Sequence, residues 1–163
     1  AQLVPDVRPF ELAKLRMLNG SHSALAYLGL MAGHAFVDQA MADPAIAPVV
    51  AALMDEAAAT LPAVPGLDPA AYGAALRQRF VNAALQHRLA QIAMDGSQKL
   101  PQRLLGTIAA AHEAGRSAPA ATLAVAAWMR HFAGPHLDDP LAERLRAAYS
   151  ADPADLTDRT MAL

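Results

Sequence analysis

Three side chains that could move a proton and hold an oxygen atom lie close together near the start of the chain. Lys14, Asn19 and His22 supply an amine, a carboxamide and an imidazole. At about 100° per residue, Asn19 and His22 occupy neighbouring positions on one face of an α-helix, and Lys14 lies a turn and a half earlier on the same half of the cylinder. Such a face can hold a carbonyl or alcohol oxygen with two donors while the amine exchanges its proton.

Spacing alone favours structural roles for these residues. A lysine near a helix start is most often a solvated charge with its stem on apolar surface. A histidine on an apolar helix is more often a packed, hydrogen-bonded residue than a catalyst, because structural networks also contain perturbed polar groups. The alternative hypothesis is therefore a helical interaction module without chemistry.

Two stretches of the sequence carry a family resemblance. KLRMLNGSH, from Lys14 to His22, resembles the K-x4-N-x2-H signature of the mannitol dehydrogenase family, which includes long-chain polyol dehydrogenases and uronate reductases. DGSQKLPQR, from Asp95 to Arg103, is similar to another block of that family in the expected order. The resemblance extends over nearly the whole chain, and two spaced blocks are far more specific than either one. Together they favour an enzyme over the interaction module.

The resemblance implies a parent protein with two domains. In the family, an N-terminal Rossmann-type domain binds NAD(H) or NADP(H), and a mostly helical C-terminal domain supplies the catalytic lysine and most of the substrate pocket. This chain resembles the second domain and lacks the G-x-G-x-x-G fingerprint of the first. We therefore expect the Rossmann domain to act in cis from outside this chain, and the chain to be truncated at both ends relative to the parent enzyme.

The resemblance also implies roles for the first three residues. Lys14 would be the general acid/base, which takes the hydroxyl proton in polyol oxidation and returns it in ketone reduction. Asn19 and His22 would hold the reacting oxygen and stabilise its developing charge. This scheme requires no metal ion.

In the second block, Lys99 matches a substrate-contacting lysine of the family. Mannitol-specific members carry an arginine eight residues earlier, where this chain has Gln91, so the resemblance leaves mannitol itself in doubt. The segment QIAMDGSQKLPQR is more similar to the fructuronate reductase branch of the family. Arg88 and Arg103 are nearby candidates for binding a substrate carboxylate, although each is also typical of a structural or surface arginine. The substrate is thus a polyol or a hexonate, and its keto counterpart is a keto sugar or a keto-uronate.

Composition excludes several other classes of function. The net charge of −2 and the lack of a basic run argue against a nucleic-acid partner. The chain has no cysteine, which removes disulfides and thiol chemistry and is compatible with the cytoplasmic location that we expect. No H-E-x-x-H occurs among the histidines, which argues against a zinc site.

The longest uncharged stretch, Met17 to Val37, is long enough to span a bilayer. It contains polar residues that would be costly in lipid, His22 and His34 among them, so we interpret it as a buried helix and expect no membrane partner. The start of the chain does not resemble a signal peptide.

No segment alternates as a strand would, so we predict an all-α, single multi-helix domain of about seven helices. Residues 1–8 are interpreted as an extended entry, and 9–163 as the helical substrate-binding and catalytic domain. The first helix is predicted from about Pro9 to Gly33, with a bend near Asn19. Gly29 and Gly33 form a small-x-x-x-small pair that would admit a close helix.

Residues that favour helix ends, mainly aspartate, asparagine and proline, predict the later helix boundaries. Each Asp-Pro pair is interpreted as a helix start, because aspartate is a good N-cap and proline suits the next position. Asn82 is expected to cap a helix that carries Leu85, Leu89 and Ile92. Asp95 to Ser97 is expected to break that helix, and Pro101 to start the next. The Asp-Pro pairs are Asp43-Pro44, Asp68-Pro69, Asp139-Pro140 and Asp152-Pro153.

Overall fold

The computed structural model describes residues 6–134 and 137–150, and these form an all-helical domain. Two π-helical segments lie within longer helices, at Lys14–Asn19 and Pro101–Leu105, and a short 3₁₀-helix covers Ala83–Leu85. The α-helical segments are α1 Arg8–Ala13, α2 Gly20–Met31, α3 Val37–Ala42, α4 Ile46–Ala58, α5 Pro69–Phe80, α6 Leu89–Ala93, α7 Gly96–Leu100, α8 Gly106–Glu113, α9 Pro119–His131 and α10 Ala142–Ser150.

The first helix is continuous from α1 through the Lys14–Asn19 segment to α2, which confirms the predicted long helix. Its π-helical character was not predicted. The N–H of Gly20 donates to the carbonyl of Leu15, five residues earlier, where a regular α-helix would bond to the fourth. The change of bonding pattern replaces the predicted bend near Asn19.

The second interrupted helix corrects a predicted boundary. The break lies at Met94 and Asp95, where Asp95 takes a left-handed conformation with φ of 55°, and α7 already begins at Gly96. The helix then passes through Pro101 to Glu113 instead of starting there. Proline has no N–H, and its ring collides with the carbonyl four residues earlier in regular α geometry. The π-helical segment begins at this proline, whose carbonyl accepts from the N–H of Gly106 five residues later.

The Asp-Pro pairs behave differently from one another. Asp68 is the N-cap of α5 and accepts a hydrogen bond from the N–H of Ala71, as predicted. Helices α4 and α10 begin only after a further turn, because Asp43 and Asp139 accept from nearby N–H groups in tight turns. Asp152-Pro153 lies outside the described residues.

The predicted helix after Asn82 is wrong. Asn82 accepts from the N–H of Ala84 and caps only the 3₁₀-helix. Gln86 then takes a left-handed conformation with φ of 45°, and Arg88 is extended, so α6 begins at Leu89. The backbone N–H of Leu89 donates a hydrogen bond to the carbonyl of Ala35, which fixes this segment against the loop before α3.

Helix α2 is the centre of the fold, since it packs against α3, α4, α6 and α9. Close approach is possible at Gly29, where an added Cβ would lie 2.6 Å from Leu89 Cδ1 and 2.8 Å from Ala40 Cβ. This confirms the packing role predicted for Gly29. Gly33 has a different role, because no atom lies within 4 Å of its Cβ position and its φ is 85°, which ends the helix.

No strand occurs in the described ranges, where an isolated antiparallel bridge joins Phe36 to Arg88. The all-α prediction is therefore confirmed. None of the described helices combines the length and apolar character that crossing a bilayer requires.

Candidate active site

The π-helical turn changes how the first three candidate residues are arranged. A π-helical hydrogen bond joins residues five apart, so side chains at that spacing lie one above the other. Lys14 and Asn19 are five apart and span this segment. Asn19 and His22 are three apart at the start of α2, where side chains three apart are neighbours. The sequence placed Lys14 off to one side, whereas the π turn brings all three onto one face, which we call the Lys14 face.

His22 lies on this face in a mostly apolar setting. Its ring centroid is 4.7 Å from that of Phe80 and 6.1 Å from that of His87. Burial, together with the smaller effects of the charges of His87, Arg79 and Arg103, lowers the pKa of His22 to about 4. The imidazole is therefore neutral at pH 7, and a neutral imidazole carries one N–H donor and one acceptor.

The polar atoms of Asn19 and His22 are available to a ligand. Both side chains are partly buried, and neither makes a hydrogen bond to the described residues. Neither is among the polar atoms sealed from solvent without a partner. Lys14 is exposed and makes no ion pair within the described ranges. The Lys14 face thus presents three unsatisfied polar groups to open space.

The second π-helical segment crosses the first at close range. A Cβ on Gly20 would lie 3.1 Å from the carbonyl oxygen of Arg103, so the glycine permits this crossing. Arg103 donates from Nη1 to Ser23 Oγ at 3.2 Å, and burial lowers the pKa of its guanidinium. Arg103 is therefore brought next to the Lys14 face, close enough to His22 for its charge to act on the imidazole.

Lys99 is held at the start of the same long helix. Its Nζ donates to the carbonyl of Met94 at 2.6 Å and lies 3.6 Å from Asp95 Oδ2. The turn that carries it is fastened by Asp139, whose carboxylate accepts from the backbone N–H of Ser97 at 2.8 Å and from its hydroxyl at 2.6 Å. Lys99 lies one turn before Arg103 along this helix, so the two cations share one side of it.

Among the described residues, no contact joins Arg88 or Gln91 to the Lys14 face, to Lys99 or to Arg103. Both are exposed. The guanidinium of Arg88 stacks over the ring of Phe36, with 5.4 Å between its carbon and the ring centroid. Such a cation–π contact is typical of a surface arginine with a structural role.

Several residues that shape the site carry no sequence signal of their own. Arg16, inside the first π segment, donates from Nη1 to the carbonyl and hydroxyl of Thr60, at 3.1 Å and 2.8 Å. Asp139 was predicted only as a helix start, and no role was predicted for Phe80. These contacts join residues more than forty positions apart, which local patterns cannot reveal.

Within the described ranges, no group of three or more His, Asp or Glu side chains is arranged to hold a metal ion. Two cavities border the helices of the site. A small one lies beside His22, Arg79, Phe80 and His87. A larger groove of about 450 Å³ lies beyond Tyr27, between α2, α6 and α9.

Known proteins are similar to this chain in sequence and in fold. A family model described as mannitol dehydrogenase C-terminal domain matches residues 6–158. A D-mannonate oxidoreductase of Escherichia coli K12 is 50% identical over 135 residues, which are 82% of this chain and 28% of that protein. A mannitol 2-dehydrogenase of Phaeosphaeria nodorum is 38% identical over 90% of this chain and 28% of its own length.

A solved structure extends the likeness to three dimensions. The mannitol 2-dehydrogenase of Pseudomonas fluorescens, in a ternary complex with NAD and D-mannitol, matches with a TM-score of 0.91 and 36% sequence identity. The match covers 99% of this chain and 34% of that one. The chain thus spans about a third or less of the length of the relatives that it matches.

Proposed function

The chain belongs to the family of mannitol dehydrogenase C-terminal domains, and on that premise we propose that it is the substrate-binding and catalytic part of an NAD(P)-dependent oxidoreductase. The reaction interconverts a polyol or a hexonate with its keto sugar or keto-uronate. The observation that carries this proposal is the π turn, which aligns Lys14 with Asn19 and His22. In an unmodified α-helix, the amine would lie on the same half of the cylinder but offset from the other two groups.

The three side chains have different roles at the reacting carbon: Lys14 transfers the proton, and Asn19 and His22 stabilise charge on the oxygen. In oxidation, the neutral amine of Lys14 takes the proton of the substrate hydroxyl while the carbon–oxygen bond becomes a carbonyl. In reduction, the ammonium returns that proton to the oxygen. Asn19 donates from its amide, and neutral His22 donates from one ring nitrogen. Both donors stabilise the negative charge that develops on the oxygen in either direction.

The nicotinamide of NAD(H) or NADP(H) accepts or supplies the hydride. The described residues contain no strand followed by a glycine-rich turn, which is the local structure that binds dinucleotides in Rossmann folds. We assign cofactor binding to an N-terminal domain outside the chain. Lys14 is exposed here, and the same domain would cover it and favour the neutral amine that proton abstraction needs.

The substrate class is supported by two kinds of relative. One is named for D-mannonate and others for mannitol, and the solved complex contains D-mannitol. We place Lys99 at the substrate because it lies one turn from Arg103 at the edge of the Lys14 face. Gln91 and Arg88, both exposed, are weaker candidates. We further propose that the reaction needs no metal ion, since a lysine with two hydrogen-bond donors supplies both proton transfer and charge stabilisation. We also propose that the enzyme acts in the cytoplasm.

The test is a substrate survey with the full-length protein. Sugar alcohols and sugar acids are offered with NAD and with NADP, and reduced cofactor is followed by absorbance, with and without EDTA. The proposal predicts oxidation of at least one compound, insensitive to the chelator, and its loss in Asn19→Ala. A Gln98→Ala variant is the matched control, because Gln98 is an exposed amide outside the Lys14 face. Equal activity of both variants would remove Asn19 from the site.

A further inference from the structure

The geometry points to a carboxylate subsite, formed by Arg103 with support from Lys99, at the edge of the Lys14 face. This inference rests on the proposed function and narrows its substrate to an acidic sugar. The carboxylate would bind Arg103 at one end of the substrate, and the carbon that reacts would lie at Asn19 and His22. No comparison assigns a ligand to Arg103.

Arg103 carries a positive charge that the described residues leave without a counter-ion. It is half-buried, and burial lowers the pKa of its guanidinium. Its side chain makes a single hydrogen bond, from Nη1 to Ser23 Oγ. No carboxylate lies within ion-pair distance of it in the described ranges. A guanidinium has five donors in a fixed fork, so most of its binding capacity is unused.

The unused donors remain reachable. Arg16 Nε is sealed from solvent without a partner, whereas no nitrogen of Arg103 is in that condition. The remaining nitrogens of Arg103 are therefore accessible to solvent. A planar carboxylate could accept two parallel hydrogen bonds there, which is the geometry in which arginine binds carboxylates most strongly.

Two other arginines of this region have more of their charge compensated by the protein. Arg16 bonds twice to Thr60, and the charge of Glu113 lies near enough to raise its pKa against the effect of burial. Arg88 stacks on Phe36 at the exposed surface. Arg103 differs from both because neither an acid nor an aromatic ring compensates its charge.

Lys99 adds a second cation on the same side of the helix. Like charges one turn apart destabilise a helix unless an anion lies between them or beside them. Asp95 reaches Lys99 at 3.6 Å, but no such acid reaches Arg103. The pair thus carries excess positive charge, which a bound carboxylate would neutralise. A neutral sugar alcohol would leave the charge of Arg103 uncompensated.

The proposed carboxylate subsite lies near His22. Ser23, which holds Arg103, directly follows His22 in α2. Positive charge from Arg103 reaches the His22 ring, and Arg79 adds to it from α5. An acyclic sugar acid would therefore meet donors for its reacting oxygen and a counter-ion for its carboxylate within one continuous region.

The experiment compares D-mannonate with D-mannitol in the full-length protein, because these probes differ chiefly in the carboxylate. We expect unmodified protein to prefer D-mannonate. In Arg103→Met, kcat/KM for D-mannonate should fall by about 100-fold, while that for D-mannitol changes by less than about threefold. Arg103→Lys keeps the charge but not the fork, so the loss for D-mannonate should be smaller, about tenfold.

Arg144→Met is the matched control and should leave both substrates unaffected, because Arg144 is an exposed arginine of α10 that has no role in the proposed site. Binding of D-mannonate is measured separately by calorimetry, with thermal melting to verify that each variant is folded. Equal losses on both substrates, or an unmodified protein that prefers D-mannitol and binds no D-mannonate, would overturn the subsite. Arg103-dependent binding of D-mannonate without oxidation of either compound would keep the subsite and reject the proposed reaction.

Discussion

At the scale of single residues, burial holds His22 in the neutral form that its proposed contact with the reacting oxygen requires. Its ring packs on Phe80, and positive groups surround it. Both effects favour the neutral imidazole, which can donate one hydrogen bond without adding charge.

This environment predicts acid sensitivity. The folded pKa of His22 is about 4, below its ordinary value of 6.5. The unfolded chain therefore binds a proton at higher pH than the folded chain, and folding stability decreases as the pH falls from 6.5 to 4. The shift corresponds to about 3 kcal/mol at full effect. His22→Gln should flatten the pH dependence of urea unfolding over this range.

The control for that experiment is His112→Gln, because His112 is exposed on α8. It should keep the slope of the unmodified chain. An NMR titration of the His22 ring gives an independent readout, with a midpoint near 4 expected. A midpoint near 6.5 would contradict the account of this residue.

At the scale of elements, the chemistry depends on two features that the sequence reveals unequally. The long first helix follows from Pro9 and the apolar run behind it, so it could be predicted. The π segment could not, because moving a hydrogen bond from the fourth residue to the fifth leaves no mark in composition. The same limit explains why Lys14 was expected to lie off the face shared by Asn19 and His22.

The turn that carries Lys99 depends on close contact at Gly96. An added Cβ there would overlap Trp128 Nε1 and the hydroxyl of Tyr27. Gly96→Ala should therefore lower the free energy of unfolding by about 2–3 kcal/mol. Gly73→Ala is the matched control, because its Cβ would meet only ordinary contacts, the nearest at 3.4 Å from Met17. Urea unfolding distinguishes them, and equal stabilities would refute the packing argument.

Asp139 fastens the same turn from a distant part of the chain. Its carboxylate accepts three hydrogen bonds, two from Ser97 and one from the N–H of Leu141. Asp139→Asn should cost about 1–3 kcal/mol of stability, since a charged acceptor becomes an amide with one acceptor oxygen. The full-length protein should also show a raised KM, because Lys99 loses its fixed position. Asp138→Asn, at an exposed neighbour, should change neither quantity.

At the scale of the whole molecule, the helical class was predictable because apolar spacing and alanine content both favour helices. Boundaries were predicted less well. Asp68 capped its helix as expected, but Asp139 bonds to Ser97, which is remote in sequence. The candidate site shows the same division. Its residue types came from two short motifs, whereas the crossing of the two π segments depends on tertiary contacts.

A further prediction concerns the cofactor-binding domain that we place outside this chain. The described residues contain the Lys14 face but no strand followed by a glycine-rich turn, so the isolated, purified chain should not oxidise a polyol or a hexonate with NAD or NADP. The same assay on the full-length protein is the positive control. Cofactor-dependent turnover by the isolated chain would show that the hydride carrier binds here after all.

The central claim is that Lys14 moves the proton in the reaction. Its most direct test is kcat of Lys14→Ala in the full-length protein, with Glu11→Ala, one turn earlier and equally exposed, as the control. The account predicts that kcat falls by about 10²–10⁴-fold in Lys14→Ala and stays near normal in Glu11→Ala. A folded Lys14→Ala protein that turns over at the unmodified rate would contradict it.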